Sequence, residues 1–204
     1  MSYEYFIATV SDRELVRAAL ATYFYPEEPL TIAHRDGSDV TVDDMENALS
    51  FLAQGTTVLV RATSTRELVG FAIGGLSANI AKVPITTRKF AEIVAFLECL
   101  SARASGKESA TAYHVHMLAV HPGHRGNSIG RRLMEEQIKL VRTRWPSVQT
   151  LTVEATSATS LRLMKRIGMR ETARLSFAEY SGDAGELIFL GTGEVIRLEL
   201  KLLK

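Results

Sequence analysis

The stretch Tyr113–Met134, YHVHMLAVHPGHRGNSIGRRLM, decides how the rest of the chain is read. Residues Tyr113 to His121 alternate or run apolar without Gly or Pro, which predicts a buried strand. Pro122 and Gly123 end it, and a short basic loop, His124 to Asn127, leads into a helical pattern from Ser128. Ile129, Leu133, Met134, Ile138 and Val141 then fall on one helix face. A strand, a tight basic loop and a helix N-terminus make a site for phosphate. The first N–H groups of a helix lack internal partners, and the macrodipole adds partial positive charge there. Gly126 and Gly130 keep side chains away where a ligand must come close, and Arg125 and Arg131 offer charge-assisted hydrogen bonds to phosphate oxygens.

Outward from this stretch the chain is ordinary in composition. With 24 basic and 23 acidic residues in 204, the formal net charge is +1, so no broad nucleic-acid or anionic-membrane surface is expected. Cys99 is the only cysteine, which excludes an internal disulfide and suits a reducing compartment. The N-terminus meets acidic residues too early for a signal peptide. The longest uncharged run, Leu68 to Ala81, is too short and too Gly-rich to span a bilayer. A cytoplasmic protein of one domain over residues 1–204 is the expectation.

Tyr3 to Val10 reads as a strand, and Ser11-Asp12-Arg13-Glu14 as a capping box before a helix carrying Val16, Leu20, Tyr23 and Phe24. Pro26 and Pro29 are expected to stop that helix and open a loop over Tyr25 to Asp39. Thr41 to Asp44 caps a second helix to about Gln54. Thr57 to Arg61 and Glu67 to Ser77 form a hairpin. Thr87 to Leu100 is a helix, and Ser101 to Ser109 a small-polar loop expected to be mobile. Thr150 to Ala155 is a strand, followed by a helix from Ala158 to Ile167 that Gly168 closes. Met169 to Phe177 and Val195 to Leu202 are terminal strands, with a Gly-rich loop or short hairpin between them.

The residues HPGHRGNSIG resemble the acetyl-coenzyme A diphosphate loop of the GCN5-related N-acetyltransferase superfamily, whose pattern is Arg/Gln-x-x-Gly-x-Gly/Ala. Here it reads Arg125, Gly126, Asn127, Ser128, Ile129, Gly130, with Arg131 following. Ser128 replaces the middle glycine; as a good N-cap residue it should preserve the turn. The resemblance implies an α/β fold: a mixed, mostly antiparallel twisted sheet with helices on both faces and a splayed pair of strands. Pantetheine would lie in that splay, along Leu118, Ala119 and Val120, with Thr150 to Ala155 as the other wall, pairing like an added strand. Acetyl-CoA is the implied co-substrate, and no metal is called for.

Acetyl transfer to an amine needs a base for the ammonium, a hydrogen bond to the thioester oxygen and a proton for the leaving thiolate. His114 and His116, two apart on a strand, project to one face. HVHMLAVH resembles the strand of vertebrate serotonin N-acetyltransferases, which implies proton removal through water by this pair. YFYPEEPL resembles the Asp-Glu-Pro-Leu segment of insect and nematode arylalkylamine N-acetyltransferases, which implies Glu28 as base with Glu27 beside it. By the same resemblance Ser160 lies near the thioester sulfur, with Thr156 one turn away. Met164 stands where the superfamily often has a tyrosine acid. The expected acceptor is a primary amine on an aromatic ethylamine such as dopamine, tyramine, serotonin or tryptamine, handled by a monomer or weak homodimer. A polyamine or other small-amine enzyme, or a non-catalytic acyl-CoA-binding protein, remains open at this point.

Overall fold

The computed structural model describes residues 2–77, 83–104, 112–182 and 184–202. Seven strands form one sheet in the order β1-β2-β3-β4-β5-β7-β6. They are β1 Tyr3–Ile7, β2 Val58–Ala62, β3 Leu68–Leu76, β4 Tyr113–Val120, β5 Thr150–Ala155, β6 Arg170–Ser176 and β7 Glu194–Lys201. All neighbours are antiparallel except β4 and β5, which run parallel.

Strand β3, which alternates except where the β2–β3 register shifts at Val69, shows how the layers are built. Phe71 and Ile73 face helices α1 (Arg13–Ala19) and α3 (Val42–Ser50), joining Val16, Leu20, Met45 and Leu49 in one core. Val69 and Ala72 face the other way, onto Ile129 and Leu133 of α5 (Ile129–Arg144). A strand buried on both faces reads as a near-continuous apolar run, which LVGFAIGGL is. Helix α4 (Arg88–Ala102) covers the β6–β7 end with Ile93, Phe96 and Leu100, and α6 (Ala158–Arg166) sets Met164 against Val153.

The feature that positions the site is a break between β4 and β5. Only Tyr113, Val115 and the intervening His114 pair with Leu151, Val153 and Thr152; from His116 onward β4 pairs with β3 alone. At that point the β3–β4 register slips: Ile73 opposes Met117 and Gly74 opposes Val115, so His116 is an extra, bulged residue. Such a bulge bends its strand and re-aims its side chains. Across it, a Cβ on Gly74 would stand 2.8 Å from the Tyr113 ring and one on Gly75 2.9 Å from the Phe51 ring. Gly74 lets the bulged strand approach, and Gly75 makes room for Phe51.

Three local expectations change. β1 ends at Ile7, and the capping box lies two residues earlier, with Asp12 accepting from Thr9 N at 2.8 Å and Thr9 Oγ1 at 3.0 Å. Pro29 does not end a helix but begins one. It is the first residue of α2 (Pro29–Ala33), where its missing N–H and fixed φ cost nothing. The turn Leu20–Glu27 stays helical, with Pro26 inside it. The Gly-rich segment after β6 folds back on isolated bridges, Ser181 with Leu187 and His34 with Phe189, and buries Ile188 and Phe189. Of the loop expected at 101–109, Ser101 and Ala102 close α4, and 105–109 lie outside the described residues. No helix among the described residues is long and apolar enough to cross a membrane.

Candidate active site

The site has a donor half and an acceptor half. In the donor half, β4 ends where His121 N donates to Val69 O at 2.8 Å. A tight turn, Pro122–His124, leads to Arg125. Asn127 Nδ2 then donates to His124 O (3.0 Å) and Arg125 O (3.3 Å), folding the loop on itself. Gly126 lies at φ +82°, and a Cβ there would meet nothing within 4 Å, so the loop is open on that side. Ser128 holds the cap position of α5 at φ 59° and ψ 15°, in the left-handed region, and its hydroxyl makes no cap bond. The expected serine cap is therefore absent, and the position is one that glycine suits. The first helical bond is Arg132 N to Ser128 O, leaving the preceding N–H groups available to an anion.

The residues fit acetyl-CoA. Those N–H donors lie beside Gly126, where the loop is open, and Leu118, Ala119 and Val120 lie on the length of β4 that has left β5. Main-chain groups there can pair with the pantetheine arm. Arg125 and Arg131 are already engaged: Arg125 donates to Val120 O and to Glu27 (2.8 Å), and Arg131 to Glu135 (2.9 Å). Both are exposed, and such pairs are weak, so a diphosphate can compete for either guanidinium. Gly130 has a packing role too, because a Cβ would touch Leu163 at 3.3 Å.

In the acceptor half, Glu28 caps α2. Its Oε2 accepts from Thr31 N (2.6 Å) and Thr31 Oγ1 (2.8 Å), and the Thr156 hydroxyl lies near enough to favour the charged carboxylate. The residue is half-buried, yet its carboxyl is densely surrounded by protein, and this burial pushes it above the ordinary glutamate value. Asp44 on α3 accepts from Tyr25 Oη at 3.0 Å. Burial, with Glu28 and Asp43 adding repulsion, pushes Asp44 up to about 7.

His114 and His116 do share a face, with ring centroids 4.5 Å apart, but their roles differ. His114 is buried with both nitrogens engaged: Nδ1 with Thr152 Oγ1 at 2.8 Å, Nε2 with Glu154 Oε2 at 3.2 Å. Thr152 directs its own hydrogen to Tyr113 O, so it accepts from His114. Glu154 also accepts from Arg197, which donates in turn to Ser101 Oγ. His114 and Arg197 outweigh burial and hold the Glu154 carboxyl down to about 2. His116 leans on Phe51 at 4.5 Å, and its Nε2 is sealed without a partner. Burial, reinforced by His114, keeps its imidazole well below the usual histidine value.

Ser160 completes a capping box on α6. Its hydroxyl donates to Ser157 O at 2.9 Å and accepts from Ser157 N at 3.2 Å. Sequence reasoning did not find Asp44, Thr152, Glu154 or Arg197. The signal was a charged residue within strands that otherwise alternate, TLTVEA and EVIRLELK; for Asp44, its neighbour Thr41 suggested only a helix start.

Residues 17–169 match the acetyltransferase (GNAT) family, and the chain belongs to that family. It is an acyltransferase whose co-substrate is acetyl-CoA. In structure it is like the insect arylalkylamine N-acetyltransferases. A mosquito arylalkylamine N-acetyltransferase like 5b is 29% identical, with 98% of this chain and 100% of that one covered and a TM-score of 0.87. Arylalkylamine N-acetyltransferase 2 from Aedes aegypti is 17% identical, fully covered on both sides, at TM-score 0.86. A polyamine N-acetyltransferase from Drosophila melanogaster is 23% identical, with 98% and 100% covered, at TM-score 0.81. These last two show the fold. Among curated protein sequences none matches significantly.

Proposed function

We propose that the chain acetylates the primary amine of an arylalkylamine, of the dopamine, tyramine, serotonin or tryptamine kind, in a ternary complex with acetyl-CoA. The observation that carries this reading is the Glu28 carboxyl, enclosed at the cap of α2 and raised in pKa by burial. A base works best when its pKa approaches the working pH. Burial moves Glu28 toward that range and moves His116 away from it. Glu28 therefore takes the ammonium proton, directly or through one water, and His116 stays neutral, packed against Phe51. Aromatic rings at Phe24, Tyr25 and Phe51 supply apolar surface in the same core. Acetyl-CoA supplies the acetyl thioester, with its diphosphate on residues 125–131 and its arm along Leu118 to Val120. Thr156 and Ser160 carry the hydroxyl groups offered to the leaving thiolate.

A second reading, a polyamine or other small-amine acceptor, draws on one observation: Asp44 adds a second enclosed carboxyl near Glu28. Turnover of acetyl-CoA with an amine panel, read by thiol release, separates the two. Arylethylamines should show the higher kcat/KM. Preference for agmatine or spermidine would replace the first reading by the second.

A further inference from the structure

Outside the transfer site, three side chains converge at the outer rim of the diphosphate loop. We propose that Glu67, His121 and His124 bind a divalent transition-metal ion of the zinc class. One ligand atom from each lies within 4.8 Å of the other two. His121 and His124 bracket the Pro122–His124 turn, and their ring centroids are 5.7 Å apart. Glu67 comes from the turn between β2 and β3. Its carboxylate stands 4.0 Å from His121 Nε2 and 3.9 Å from His124 Nε2. A tetrahedral ion with bonds of about 2.0–2.2 Å holds neighbouring ligands roughly 3.3–3.6 Å apart. Oε1 makes the approach to His121 and Oε2 the approach to His124, each about half an ångström too long, so Glu67, the exposed partner, turns to bring its carboxylate between the two rings.

The rings are already oriented. Tyr3 Oη lies 3.3 Å from His124 Nδ1; accepting that N–H leaves the Nε2 lone pair for a metal, as outer-shell partners commonly do. The Tyr3 and Tyr23 rings stand edge-on to His124 and His121. His121 must change more. Its Nδ1 accepts from Gly123 N at 3.2 Å, which puts the neutral ring's proton on Nε2. Binding moves that proton to Nδ1 and gives up one long neutral hydrogen bond, a loss of roughly tenfold in affinity. Two imidazoles and a carboxylate suit Zn²⁺, Co²⁺, Ni²⁺ or Cu²⁺ rather than Mg²⁺ or Ca²⁺.

A second trio, His34, Asp36 and Glu92, shows what a closed cluster looks like. There His34 Nε2 lies 2.9 Å from Glu92, its Nδ1 accepts from Asp36 N, and Arg35 and Arg88 hold the two carboxylates. Every ligand atom is spoken for by protein. At Glu67 the carboxylate has only the two long histidine approaches among the described residues.

Titration of the full chain with Co²⁺, followed by visible d–d absorption, tests the site. One Co²⁺ per chain should bind saturably and be displaced by Zn²⁺. His121→Asn/His124→Gln should weaken Co²⁺ binding at least about tenfold. Asn can still accept from Gly123 N–H, so an unchanged melting curve is expected. Glu67→Gln, on an exposed turn, should weaken binding independently. No saturable band in the wild type, or Co²⁺ binding as tight as wild type in either the double variant or Glu67→Gln, would overturn the proposal.

Discussion

The donor and acceptor halves of the site are built by different rules. The donor half is one continuous stretch, Leu118 to Arg131, whose ligand groups are mostly main chain, placed by a strand end, a loop and a helix start. The acceptor half draws Glu28 from α2, Asp44 from α3, His114 and His116 from β4, Thr152, Glu154 and Thr156 from and just after β5, and Arg197 from β7. Backbone sites follow from local pattern, whereas side-chain sites depend on which elements become neighbours.

The sharpest way to separate the halves is Glu28→Gln. The amide keeps the shape but cannot take a proton. Turnover should fall by about 10²- to 10⁴-fold, the general-base range, while acetyl-CoA affinity by calorimetry stays within a factor of two or so of wild type. A parallel loss of coenzyme affinity would mean the halves are one unit, joined through the Glu27–Arg125 pair.

The reverse experiment strikes the donor half. Gly126→Asp puts an L side chain at φ +82° and a carboxylate beside the diphosphate. Acetyl-CoA should bind about 10- to 100-fold more weakly, one to two steps of 1.4 kcal/mol. Gly126→Asn, which tolerates the left-handed region and carries no charge, should lose less. Equal losses would assign the effect to strain alone.

This division also explains what was legible in the sequence. The alternation of Tyr113 to His121, the Pro-Gly stop and the basic loop are local, and the fold follows from them. The slip at His116 was not legible, because a bulge depends on which β3 residues face β4; only the Gly74-Gly75 pair hinted at it. Pro29 was misread because proline both ends and begins helices, and the deciding contact, Thr31 N to Glu28, is made by a residue that also reads as a solvated acid. His114 and His116 read as equivalent because strand spacing places both rings on one face and says nothing of what meets them. Glu154 and Arg197 lie 43 residues apart, and only β5–β7 pairing joins them.

Within the acceptor half the two histidines should separate. His114→Gln removes a hydrogen-bonding partner from buried Glu154, so stability should fall by about 1–2 kcal/mol. The sign with pH follows from Glu154, whose folded-state value is depressed to about 2. Its contribution is complete above the unfolded value of about 4.3 and is lost as pH falls through about 2. The stability gap between wild type and His114→Gln should thus be widest near pH 5 and shrink toward pH 2, as melting curves across that window would read. His116→Gln, which leaves Glu154 its main partners, should show no such pH-dependent gap. Identical acid profiles for the two variants would restore the equivalence that the sequence suggests.

The smallest effect tests the donor half at its one departure from the family's glycine. If the Ser128 hydroxyl capped α5, Ser128→Ala would cost about 1 kcal/mol. The hydroxyl makes no cap bond and the residue sits at φ 59°, so alanine should be nearly neutral, since it meets the same left-handed strain. Ser128→Gly should instead stabilise, but modestly. Relief of about 1 kcal/mol of strain is offset by the roughly 0.4–1 kcal/mol that a freer unfolded chain costs. The net gain of about 0–0.6 kcal/mol raises the melting temperature by at most about 2 °C in a chain of this size. The ordering Gly above Ser, with Ser equal to Ala, identifies a backbone-strained cap. Alanine falling clearly below serine would mean that the hydroxyl holds the loop after all, and that the donor half also depends on a side chain.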